Sequence, residues 1–139
     1  MQEIKTLIII GITLLFINLS FGQTTKYKSV QLSMKNKVGN KWTGWSTPPL
    51  KYNALIVLNS DTNEIKIYPE EPDTTLTFDI VKVIGKSTDS EDNSILTFSC
   101  VDDDGEECTI KMIGVKKPNR LLFEIEWEDF GLLYNIYPK

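Results

Sequence analysis

The chain has 139 residues, with 15 Lys and Arg against 19 Asp and Glu, two cysteines and no histidine, for a formal charge of −4. That length suits one domain around a single core, and the acidic balance argues against nucleic acid or an anionic membrane as partner, both of which reward clustered basic residues. The missing histidine excludes Ser-His-Asp and Cys-His hydrolase arrangements, histidine-ligated zinc and imidazole acid/base chemistry.

At the N-terminus, Lys5 precedes the apolar run Leu7 to Ile17, followed by N-L-S-F-G-Q. A charged start, a short apolar middle and a small residue at the cut are the order of a secretory signal peptide. The run falls short of the roughly 20 apolar residues that cross a bilayer. Residues 1–22 are therefore expected to be a signal peptide cleaved after Gly22. Residues 23–139 are then a single β domain, exported to the periplasm or outside the cell, with no membrane span in the mature chain.

Beyond the leader, apolar residues alternate with polar ones and helical spacing is absent. Val30, Leu32 and Met34 mark a first strand at about 27–35. A-L-I-V-L at 54–58 reads as a buried strand that ends in the turn N-S-D-T-N. Ile65 and Ile67 return from it, closed by Pro69 and Pro72. Leu76, Phe78, Ile80 and Ile84 define a long strand in which Val81 and Val83 break the alternation, as a bulge would. Residues 85–94 read as a polar, mobile loop. Strands follow at 95–101, 107–114 and 120–127, the last with Leu121, Phe123, Ile125 and Trp127 on one face. Gly131 is read as a tight reversal into L-L-Y-N-I-Y.

Cys100 and Cys108 flank D-D-D-G-E-E. A three-residue loop with Gly105 left-handed sets Cys100 against Cys108, Phe98 against Ile110 and Leu96 against Met112. Apolar residues then meet apolar ones. Directly opposed cysteines come within bridging range in the closely spaced, non-hydrogen-bonded kind of pair, and an exported protein meets oxidants, so a Cys100–Cys108 disulfide is expected.

Seven or eight short strands on hairpin-length turns predict an all-β fold. A single small antiparallel barrel is favoured, since closure removes exposed edges, and a β-sandwich is the alternative. The architecture resembles lipocalin-like small barrels, an exported antiparallel chain of similar length, which implies a ligand in the barrel mouth. The G-x-W motif of that family is not met: Gly39 is followed by Asn40, Lys41 and only then Trp42.

Six lysines and no acid lie between residues 23 and 52, whereas residues 53–139 hold eight basic and eighteen acidic groups. The two segments are expected to balance on folding. Three kinds of site remain. Trp42, Trp45 and Tyr52 are candidate ligand or partner contacts, with Tyr27 and Tyr68 as further aromatics; Trp42 and Trp45, three apart, are expected on opposite faces. Asp102, Asp104 and Glu106 at the hairpin tip are a weak calcium candidate, whose match to an EF-hand loop is poor. Asp79, Glu124, Glu126, Glu128 and Asp129 are the candidate carboxylates for a glycosidase-like pair, although Glu124 and Glu126 read as solvent-facing.

No cofactor, metal or catalytic residue is expected. The leading expectation is an exported non-catalytic β-domain that binds a small apolar or sugar ligand or a protein partner. A structural or inhibitory interaction domain without small ligand is the alternative, and a carboxylate-dependent hydrolase the second.

Overall fold

The computed structural model describes residues 24–70 and 74–139. The leader and its cleavage point lie outside them. Nine strands follow in chain order: β1 (Thr24–Val38), β2 (Lys41–Trp42), β3 (Leu50–Asn59), β4 (Glu64–Pro69), β5 (Leu76–Thr88), β6 (Ser94–Asp102), β7 (Glu107–Val115), β8 (Arg120–Glu126) and β9 (Phe130–Pro138). From β3 to β9 each strand pairs antiparallel with the next, and β1 pairs with β3 on one side and β9 on the other. The result is a closed eight-stranded barrel, with β2 as a short extra strand on the end of β1. Closure decides between the expected barrel and the sandwich.

Period-two alternation places the core. Leu96, Phe98 and Cys100 of β6 point inward with Ile110 and Met112 of β7, and Phe123 and Ile125 of β8 join them. Ile56, Leu58, Ile65, Ile67 and Phe78 complete a set with no exposed surface, and Tyr134 is 1% exposed. An eight-stranded barrel is just wide enough for its own side chains to fill it. Each such side chain contributes about 1.5–3 kcal/mol on burial. The same burial pushes the Tyr27 hydroxyl up to about 12.

Turn chemistry follows the residues. Asn59 Oδ1 accepts the amides of Asp61 at 2.9 Å and Thr62 at 3.4 Å, and Asn63 takes a left-handed φ of 55°, which Asn tolerates. Residues 85–94 depart from the expected loop: β5 continues to Thr88, and a short turn follows. There Asp89 Oδ1 accepts the amides of Glu91 and Asn93, both at 2.9 Å. Asn93 donates through its backbone and side chain, and with Glu91 it holds the Asp89 carboxyl below its ordinary range.

Gly131 is not the reversal either. The turn lies at residues 127–130, closed by Trp127 N–H donating to Phe130 O at 2.8 Å, and Gly131 is a buried position inside β9.

The β6–β7 hairpin has the expected register, Cys100 opposite Cys108 and Phe98 opposite Ile110, with Gly105 at φ 81°. The disulfide is not there: both cysteines are free, buried thiols. Asp102 N–H donates to Glu106 O at 2.9 Å and Gly105 N–H to Asp102 O at 3.0 Å, so Asp102 and Glu106 form a hydrogen-bonded pair. Pair type alternates along the ladder, so Cys100 and Cys108, two steps on, are of that wider kind. Their Cβ atoms then stand about 5.5 Å apart, beyond the roughly 3.5–4.5 Å that a disulfide spans. Burial pushes both thiols up to about 12, which also removes them as nucleophiles.

Candidate functional site

Trp42 and Trp45 do not split between core and solvent. After β1 the chain doubles back along the strand's free edge: Thr43 N–H donates to Asn36 O at 2.8 Å and Ser46 N–H to Met34 O at 2.9 Å, while Ser46 Oγ accepts from Met34 N–H at 3.0 Å. Both indoles come to rest over Lys35 on the outer wall, its Nζ 4.4 Å from one ring centre and 4.7 Å from the other. Lys37 Nζ lies 5.0 Å from the Trp42 ring.

Lys35 also reaches β8 across β9. Its Nζ meets Glu126 Oε2 at 2.8 Å and Glu124 Oε2 at 3.7 Å. The path crosses Gly131, which pairs with Lys35 on one side and Glu126 on the other. A Cβ there would lie 2.9 Å from Lys35 Cε and 3.3 Å from Trp45 Cη2, so only glycine leaves the path open. Burial pushes the Glu124 carboxyl above its ordinary value, against the pull of the Lys35 and Lys111 ammonium groups. The clamp is where the lysine-rich and acidic segments meet. It fastens residues 41–46 to the wall, which occupies both indoles internally.

The remaining candidates are scattered. Tyr52 turns inward with its ring 6.3 Å from Tyr134 and packs against the core, away from the two tryptophans. Asp102 is committed to its own turn: Oδ1 accepts the amides of Asp104 and Glu106, and Oδ2 accepts Trp127 Nε1–H at 3.0 Å. Among the described residues no group of three or more His, Cys, Asp or Glu is placed to hold a metal. Glu124 and Glu126 both turn to Lys35, and Glu128 and Asp129 sit on the open β8–β9 turn. Around that turn a groove of about 740 Å³ is lined by Glu106, Glu107, Glu126, Glu128, Asp129 and Trp127.

One feature was only faintly marked in the sequence. β4 pairs with β5 from Leu76 to Asp79 alone, and Ile80 N–H donates to Asn63 O at 2.8 Å just past the join. Beyond this point, among the described residues, β5 has a neighbouring strand on its β6 side only. Bulges at Val81 and Ile84 bend it, and Val81, Val83 and Ile84 are 66%, 38% and 57% exposed. The apolar pairs Ile80-Val81 and Val83-Ile84 on either side of Lys82, just before Gly85, are the signal for it. Bulges and the lysines Lys82 and Lys86 are devices that keep such an edge from pairing indiscriminately.

No helix among the described residues is long and apolar enough to cross a membrane. Comparisons with protein-family models, curated proteins and solved structures found no match to this chain.

Proposed function

We propose that the chain is an exported, non-catalytic binding domain that holds a protein partner as an extended segment along the open edge of β5. The observation that carries this reading is the stretch from Val81 to Ile84, which among the described residues pairs with β6 only and bears three exposed aliphatic side chains. An added strand gains main-chain hydrogen bonds, each worth about 0.5–1.5 kcal/mol net, and covers the aliphatics as it docks. Lys82 favours an acidic residue opposite it.

Two further features support a surface role. The inward side chains, Phe78, Phe98, Phe123 and Tyr134 among them, form one buried apolar cluster. Glu124 and Glu126 are engaged on Lys35, and the two thiols are held protonated.

A photo-activated cross-linking residue at Val81 or Ile84, in cells that produce the protein naturally, is expected to capture one discrete protein. The same probe at Thr109, on the outer wall of β7, is expected to capture none. Absence of adducts, or identical adducts from both positions, rejects the reading. N-terminal sequencing of the exported protein is expected to begin at Gln23, and retention of the full chain in the cell rejects the export half.

A further inference from the structure

We propose a second, independent site: the shallow groove over β1, β3 and β4 binds a neutral saccharide. It holds about 300 Å³, the lower end of the range for small-ligand pockets, and its lining includes Val30, Leu55 and Tyr68. Register shifts flank it: between Ser29 and Gln31 the single residue Val30 stands opposite two of β3, Tyr52 and Asn53, and is itself the extra residue against β9, which opens the ladder at the groove. Register then aligns Lys28, Leu55 and Tyr68 as one row across the three strands.

The polar groups select the ligand. Asn53 and Glu70 are tied twice, by Glu70 N–H donating to Asn53 O at 3.0 Å and Asn53 Nδ2 donating to Glu70 Oε2 at 2.6 Å. That double tie holds the other two oxygens, Asn53 Oδ1 and Glu70 Oε1, as a fixed pair of acceptors. Lys28 and Lys139 supply ammonium donors on the same lining. An anion meets Glu70 and a cation meets the two lysines, so each is opposed by one half of the site. A neutral polyol meets both halves favourably, because each hydroxyl donates to the acceptor pair and accepts from an ammonium group. Tyr68, 40% exposed, offers a ring face to the C–H side of a sugar, and Val30 and Leu55 give an apolar floor beneath it. A shallow, open groove of this kind suits weak binding, in the millimolar range.

The test is an amide-resolved NMR titration of the domain starting at Gln23 with the methyl glycosides of glucose, galactose and mannose. Saturable shifts at Val30, Asn53, Leu55 and Tyr68 with at least one glycoside are expected. Tyr68→Ala and Asn53→Ala should each weaken binding by up to about tenfold, while Tyr68→Phe, which keeps the ring, should bind as the native protein does. Both positions are exposed, so the spectra of the variants also report that the fold is intact. No saturable shift with any of the three sugars overturns the proposal. So do shifts indifferent to Tyr68→Ala, or shifts produced by a short-chain alkyl detergent below its micelle concentration and not by the sugars.

Discussion

The two joins beside β9 and beside β5 close the same barrel in opposite ways. Along the seam of β1 with β9 the ladder runs from Tyr27 to Asn36, and Lys35 reaches over it to Glu124 and Glu126 beneath two indoles. At the join of β4 with β5 the ladder covers only Glu64 to Ile67, after which, among the described residues, β5 pairs with β6 only. One region spends its polar and aromatic side chains on holding the wall shut, whereas the other leaves backbone and aliphatic side chains facing solvent.

Core substitutions set the scale against which both regions are read. Phe123→Ala, in the seam-side wall beside Tyr134, is expected to lose about 3–5 kcal/mol in chemical denaturation. Leu76→Ala, only partly buried at the β4–β5 join, should lose about 1–2 kcal/mol. Equal losses would erase the contrast.

Lys35→Met tests the clamp directly. It leaves Glu124 and Glu126 facing each other without their cation, at an expected cost of about 1–3 kcal/mol near neutral pH. The sign of the pH dependence is set by Glu124, whose folded pKa already lies above its ordinary value. The folded state holds that proton more tightly than the unfolded chain. Its contribution is therefore full below the unfolded pKa and is lost as pH rises through the folded one. In Lys35→Met the folded pKa climbs further, so melting temperature should fall more steeply with rising pH than in the native protein. A parallel profile would remove Glu124 from the account.

Gly131→Ala blocks the lysine's path without touching a charge. Because the displaced atoms belong to a flexible side chain, about 1–2 kcal/mol is expected, with a shift in tryptophan emission as Trp45 lifts. The smallest effect on stability belongs to the open edge. Ile84→Lys should change it by less than about 0.5 kcal/mol and yet abolish the partner adduct formed from Val81.

Much of this architecture was legible from pattern alone. The D-D-D-G-E-E tip set the whole register of β6 and β7, because a three-residue loop with a left-handed Gly105 permits one pairing. Alternation likewise placed Phe123 and Ile125 inside and Glu124 outside. Pairing parity was not legible: whether Cys100 and Cys108 face each other at a wide or narrow rung depends on the hydrogen bonds of Asp102. Nor was the clamp, since Trp42 and Trp45 were read as one extended segment, and the backbone between them departs from strand geometry at Thr43 and Gly44. Gly131 misled because a glycine near a turn and a glycine under a crossing side chain look alike in one dimension. The β5 edge was half visible, as a bulge in V-K-V-I without knowledge of how early β4 stops.

The meeting of β1 with β9 also sets a timetable. Strands formed in order along the chain can each pair with the one before, but the first gains its second neighbour only when the last has been made and released. A polypeptide emerging N-terminus first therefore stays an unclosed ribbon until Pro138 is free, and ring closure, with its large sequence separation, is the natural slow step of maturation.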